Sequence, residues 1–400
     1  MSDLKIYQQE LTTELQNILQ YWMQYTIDVQ KGGFYGSVDN DNKPINGSSK
    51  GIVLNARILW AFSAAYNFTQ DKKYLLMAAR AHHYINQHFV DQEYAGVYWS
   101  VDADGVMLNG RKQIYGNAFY LYGLSEYYLA VKDPVVLETA IAFFGLIEDK
   151  SFDEKRKGYF EAFDRDWQPL NDLRLSPKDA NEKKTMNTHL HIIEAYANLY
   201  RAWPDDLLKE RIVQLLDVFD EYMIDEVSGH LILFFDEEWN AKPNVISYGH
   251  DIEAAWLLQQ CAEMIGDTYR TNKMKQHALR ITAAAMEGMD TDGSLWYEYE
   301  PQQKIMRKEK HWWPQAEAMV GFFNAYQLTG DSSFLEHSFN SWAFAKKYLL
   351  DKKSGEWFWG VKENTEVMAA EDKAGFWKCP YHNSRACMEI IKRIHTLSIK

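Results

Sequence analysis

No stretch of this chain is rich in basic residues, none is apolar over a membrane-spanning length, and cysteine is scarce. Each absence removes a class of function. The formal charge is −13, and without a cluster of lysine and arginine there is no electrostatic footprint for nucleic acid or an anionic membrane surface. No apolar run approaches the roughly 20 residues that span a bilayer. Cys261, Cys379 and Cys387 are too few, and odd in number, for a disulfide framework. The first residues, Met1-Ser2-Asp3-Leu4-Lys5, lack the basic segment and apolar stretch of a secretory leader, so a reducing, cytoplasmic setting is expected. Proline, glycine and serine never gather into a linker, so residues 1–400 read as a single domain with a large core.

What the chain has in abundance is aromatic: Phe, Trp and Tyr make up 15% of it, with 14 tryptophans. Most of these rings belong in a core. Others suit the walls of a pocket for sugars, whose C–H faces pack on aromatic planes. Six times a glycine leads into an aromatic or apolar strand that ends in an acidic turn. The copies start at Gly33-Phe34-Tyr35, Gly96-Val97-Tyr98, Gly158-Tyr159-Phe160, Gly229-His230-Leu231, Gly293-Ser294-Leu295 and Gly355-Glu356-Trp357. Successive glycines lie 63, 62, 71, 64 and 62 residues apart, a period that signals repeat architecture.

Apolar residues at i, i+3, i+4 and i+7 predict two helices after each hairpin. The first opens near residue 50, with its partner over 72–89, and the other pairs fall near 115–130 with 134–149, 188–202 with 206–224, 250–265 with 268–288, and 313–329 with 332–349. Helices 4–26 and 383–397 are left to pair with each other and close the ring. The expectation is all-α: an (α/α)6 barrel of twelve helices with short β-hairpins between helix pairs. Helices directly after a hairpin are apolar or small nearly all round, as in Asn117-Ala118-Phe119-Tyr120-Leu121, and form the inner ring. Their partners carry a Lys, Glu and Gln stripe and form the outer one. Two long connections, 165–186 and 363–381, have the length of lids or of surface insertions.

Polar residues that do not suit a plain core gather at the inner-helix starts. They are Arg57; Tyr115 and Asn117; Asn187, His189 and His191; His250 and Glu253; Trp312, Trp313 and Glu317; and Trp377, Tyr381 and His382. Six helix N-termini would also bring positive dipole ends to one mouth. Histidine exchanges protons near neutrality, so His191, His250 and His382 at one mouth point to acid/base work. Glu253, three residues from His250, is expected to fix its tautomer. A metal centre fits less well: His189 and His191 diverge on a helix, and no His-Glu-x-x-His element is present. Glycoside cleavage needs two carboxylates across a sugar, for which Asp179, Asp251, Glu253 and Glu317 are candidates. Histidines outnumber them, and proton transfer fits better.

Five segments carry a resemblance: Leu54-Asn55-Ala56-Arg57, Met186-Asn187-Thr188-His189-Leu190-His191, Ser247-Tyr248-Gly249-His250-Asp251-Ile252-Glu253, Trp312-Trp313-Pro314-Gln315-Ala316-Glu317 and Trp377-Lys378-Cys379-Pro380-Tyr381-His382-Asn383. In order and spacing they resemble the N-acylglucosamine 2-epimerase family, and within it the members that act on cellobiose. The resemblance implies an (α/α)6 barrel that epimerises C2 of a reducing-end sugar without cofactor or metal. The implied substrate is cellobiose and also lactose, with N-acylglucosamine and mannose as the family's other options. It implies that His250 and His382 are the acid/base pair, that His191 bonds the O1/O5 region, and that Arg57 stabilises the enediolate. It further implies that Tyr115, Asp179 and Asn187 position hydroxyls and that Trp313 and Trp377 stack on the two sugar rings. His189 and Glu317 are counted with the substrate contacts. The small sugar is the only partner expected, with no nucleic acid or membrane, and the chain is expected to be a monomer or weak homodimer.

Overall fold

The computed structural model describes residues 2–243 and 245–399. Among them are twelve α-helices. The inner ring is α2 (Ile52–Thr69), α4 (Ile114–Val131), α6 (Met186–Ala202), α8 (Tyr248–Met264), α10 (Trp312–Thr329) and α12 (Tyr381–Ile399). The outer ring is α1 (Ser2–Tyr25), α3 (Lys72–His88), α5 (Pro134–Ser151), α7 (Asp206–Val218), α9 (Thr268–Ala285) and α11 (Ser332–Phe344). Each inner helix packs on the next, and α12 returns to α2. The first helix, α1, packs on α12 and closes the outer ring, so the expected (α/α)6 barrel forms with its predicted division of inner and outer helices. No helix among the described residues is long and apolar enough to cross a membrane.

The two rings begin differently. From α3 to α11 every outer helix is capped by an aspartate, Asp71, Asp133, Asp205, Asp267 or Asp331, whose carboxylate accepts a first-turn N–H. That cap also meets the positive end of the helix dipole. Inner helices are entered instead from a two-residue strand. Each such strand pairs antiparallel with the hairpin of the following repeat: Lys50 with Val101, Lys112 with Phe163, Lys184 with Phe235, Ile246 with Tyr299, and Lys310 with Val361. Ala374 pairs with Val38 and completes the belt. The six repeat glycines all have φ between +60° and +85°, a region a side chain rarely enters. At Gly158 an added Cβ would also lie 2.4 Å from the Trp239 ring.

Buried ion pairs tie this belt down. Lys50, Lys112, Lys184, Lys310 and Lys373 reach back to Asp28, Asp91, Asp153, Asp290 and Asp351, at 3.0, 2.8, 2.8, 2.7 and 2.5 Å. Ile246 takes the lysine's place in the fourth repeat. A second clamp comes from the fourth residue of the inner helices. Asn117, His189, Asp251 and Gln315 each accept a backbone N–H from their own repeat's hairpin, at Val97, Tyr159, Leu231 and Leu295. Sequence periodicity gives the helices, but these clamps are what orient them.

Lys184 is fully buried, and among the described residues Asp153 is its only carboxylate partner. Removing one member of a buried pair strands the other, at a cost of about 3–5 kcal/mol. Asp153→Ala is therefore expected to lower the unfolding free energy by that amount in urea titration. Pairing it with Lys184→Met should recover a large part of the loss.

Candidate active site

A cavity of about 520 Å³ opens where the inner helices begin. Its floor comes from their first two turns and its walls from the connections. Two residues along an α-helix are rotated by about 200°, so neighbours in sequence part ways here. On α4, α6, α8 and α10 the fourth residue bonds the hairpin, and on α2, α6 and α8 the sixth faces the cavity. Arg57, His191 and Glu253 are sixth residues, and all three line the cavity.

His382, second residue of α12, donates from Nδ1 to Glu317 at 2.6 Å. His191 donates from Nδ1 to Glu194, one helical turn on, at 3.0 Å. A carboxylate at Nδ1 fixes the tautomer and leaves Nε2 with its lone pair. In His250 the Nδ1 atom shares a hydrogen bond of 2.8 Å with the Ser247 hydroxyl. Trp313 stands in ring contact with both His250 and His382, at 4.8 and 5.7 Å between centroids. His250 lies deep enough in the cavity for lost hydration, then repulsion from His191 and Arg57, to push its pKa down to about 3. Burial, followed by Arg57 and Arg385, holds His382 well below the ordinary histidine value. Both imidazoles are neutral at pH 7 and able to accept a proton.

Arg57 is buried between the faces of Phe119 and Tyr381, at 4.2 and 4.9 Å, and donates to the Tyr115 hydroxyl at 2.7 Å. Its Nε has no hydrogen-bond partner among the described residues. Tyr115 is edge-on to His191 and close to Trp377, so the three form one wall. Asn187 lines the cavity, and its Oδ1 has no hydrogen-bond partner among the described residues. Asp179 sits on the long 165–186 connection, where its carboxylate accepts the Ser176 N–H. Burial raises its pKa. Residues 173–180 of that connection, and Met368, Glu371 and Trp377 of the second, line the cavity, so both long loops are walls of the site.

Three expectations need correction. His189 does not reach the cavity: as a fourth residue it is fully buried, bonding the Thr185 carbonyl through Nδ1 and accepting the Tyr159 N–H at Nε2. Glu317 is not a cavity wall but stands behind His382. Glu253 does not orient His250, a task that falls to Ser247; it accepts from Arg385 at 2.5 Å and lies 3.8 Å from His382 Nδ1. Burial, then repulsion from Glu317, lifts the Glu253 pKa to about 7. Of the carboxylates a glycosidase would need, Asp251 is likewise turned away, accepting from Leu231 and His230.

Glu194, Ser247 and Arg385 were not anticipated, although each lies three residues from a histidine that was. Glu161 was missed as well. It lines the cavity while accepting from Thr185 and Thr188, and burial raises it to about 8. Ligand-type atoms of Glu253, Glu317 and His382 lie within 4.8 Å of one another. The Arg385 guanidinium already donates to both carboxylates, so the positive charge between them is built into the protein.

The chain is similar to known proteins over nearly its whole length. The profile of the N-acylglucosamine 2-epimerase (GlcNAc 2-epimerase) family matches residues 33–386. The chain is 46% identical to a cellobiose 2-epimerase of Bacteroides fragilis over 384 residues, 96% of this chain and 97% of that one. It is 39% identical to a cellobiose 2-epimerase of Dictyoglomus turgidum, over 98% of this chain and all of that one. The solved cellobiose 2-epimerase from Bacillus thermoamylovorans B4167 superposes with a TM-score of 0.93 at 39% identity, covering 97% of this chain and all of the other.

The corrected role of His189 has a thermodynamic signature. His189→Ala leaves the Tyr159 N–H buried without an acceptor, a loss of about 1–3 kcal/mol before any cavity effect. Urea unfolding should show a lower midpoint at an unchanged slope. The environment of His250 predicts that its ring ¹⁵N resonances do not titrate between pH 8 and pH 5; a transition near 6.5 would contradict the assignment.

Proposed function

The chain belongs to the N-acylglucosamine 2-epimerase family, and we propose that it interconverts glucose and mannose at the reducing end of cellobiose by epimerisation at C2. The observation that carries this reading is the pair of neutral imidazoles, His250 and His382, both against Trp313, with the Arg57 guanidinium at the same cavity.

The chemistry begins with opening of the hemiacetal, which makes the C2 hydrogen weakly acidic beside an aldehyde. One imidazole removes that hydrogen as a proton, and the electron pair moves onto C1–O1 to give a planar cis-enediolate. Arg57 and the Tyr115 hydroxyl meet the developing charge, the kind of preorganised donor pair that supplies most of such a barrier reduction. The other histidine, charged during ring opening, returns a proton to the opposite face. His191 bonds the O1/O5 region, and Glu253, with a pKa of about 7, is an acid poised to take part in ring opening.

Tyr115, Asp179 and Asn187 position hydroxyls, and Trp313 and Trp377 stack on the two rings of the β-1,4 disaccharide. The same contacts suit lactose, giving epilactose. Only the one chain is needed, since the ring closes within it. Three buried free thiols support a reducing, cytoplasmic setting.

Cellobiose incubated with the protein in D₂O should yield glucosyl-mannose carrying deuterium at C2. Free glucose would instead indicate a glycosidase, and a ketose an isomerase. His250→Ala and His382→Ala should each slow C2 exchange by roughly 10²–10⁴-fold, the usual worth of a positioned acid or base. Near-normal exchange in either variant removes that residue from the mechanism.

A further inference from the structure

Arg385, four residues beyond Tyr381 on α12, lies at the centre of the buried polar network behind the cavity. Its Nη1 donates to Glu194 and contacts the Tyr381 hydroxyl. Its Nη2 donates to Glu253 and Glu317, at 2.5 and 2.7 Å. The guanidinium lies over the Tyr381 and Trp256 rings, 4.2 and 5.0 Å from their centroids. Glu194 is the partner of His191, and Glu317 the partner of His382. The two carboxylates that fix these histidines, on α6 and α10, therefore share one cation on α12.

We infer that Arg385 is a positioning residue that couples His191 and His382, holding both Nδ1–H tautomers at once through Glu194 and Glu317. Three carboxylates this deeply buried would take up protons if left alone, and a protonated carboxyl no longer obliges a histidine to donate. Against burial, Arg385 and the His191 N–H hold Glu194 down to about 2. Glu253 stays near 7, which leaves it as the protonable member of the trio. A lysine could not take over, because a point charge does not fork between three carboxylates on three helices. The groups facing His382 are Arg57 from α2, His191 from α6, His250 and Glu253 from α8, Glu317 from α10, and Arg385 on its own helix. Arg385 bonds both carboxylates in that set, and Glu194 beside His191 as well.

The kinetic part of this proposal rests on the epimerase reading, whereas the spectroscopic part does not. In ¹⁵N-histidine-labelled protein, His191 and His382 should both show protonated Nδ1 and bare Nε2. Arg385→Met, folded by circular dichroism, should lose that pattern at both rings. Its kcat for cellobiose should fall roughly 10²–10⁴-fold, the scale seen when a catalytic histidine takes the wrong tautomer, with KM within about threefold. Arg385→Lys should restore one histidine but not both. If Arg385→Met does not fold, Glu194→Gln carries the test, since Glu194 is bonded to His191 and linked to His382 through the guanidinium. Movement of the His382 Nδ1–H resonance in that variant supports the coupling. Movement of His191 alone, or retention of both tautomers or of kcat in Arg385→Met, overturns it. Wild-type protein that shows both tautomers but no C2 exchange would sink the epimerase reading and leave the coupling standing.

Discussion

The position of every group at the mouth of the ring depends on the short antiparallel pairing that ties the strand ahead of each inner helix to the hairpin of the next repeat. Helix packing alone would let an inner helix slide or rotate by a residue, because its surface is apolar almost all round. The pairing removes that freedom at the end where chemistry is carried. The lysine–aspartate pairs beneath it are buried and directional, so a shifted register would leave charges unmatched. Arg57, His191 and Glu253 are then aimed at the cavity as firmly as Asn117, His189, Asp251 and Gln315 are aimed at the hairpins.

The same arrangement controls protonation. The two imidazoles proposed for the C2 chemistry are kept neutral by lost hydration and by nearby cations, while the carboxylates around Arg385 are spread over a wide range of acidity. No such spread could arise in water, where all of these groups would approach their ordinary values. Site and scaffold are one electrostatic object, since Arg57 and Arg385 both lie on inner helices and both act on His382.

Much of this was legible in the chain. The glycine period announces six hairpins, apolar periodicity separates inner from outer helices, and the polar residues at the inner-helix starts mark the mouth. Arg57, Tyr115, Asn187, His191, His250, His382 and both tryptophans do line it. The failures have two physical sources. Spacing shows that two residues share a helix, but not which way the helix is turned, and His189 is turned to its own hairpin. Glu317 shares the register of Arg57 and His191, but it is bonded to His382 and kept off the cavity. Aligning the repeats would have shown that His189 is equivalent to Asn117, Asp251 and Gln315, all of which clamp a hairpin. Glu253 was matched to His250 by an i, i+3 spacing, yet its partner, Arg385, is 132 residues away and no local rule reaches it.

Closure of the ring has a temporal side. The last inner helix, α12, brings His382 and Arg385, and it lies between the first two helices of the chain, α1 and α2. A nascent polypeptide therefore carries Glu194, Glu253 and Glu317 before it carries the guanidinium they share. Until that helix docks, each acid faces water and keeps its ordinary acidity. The spread of acidity in the finished site is thus a property of ring closure and of no single segment.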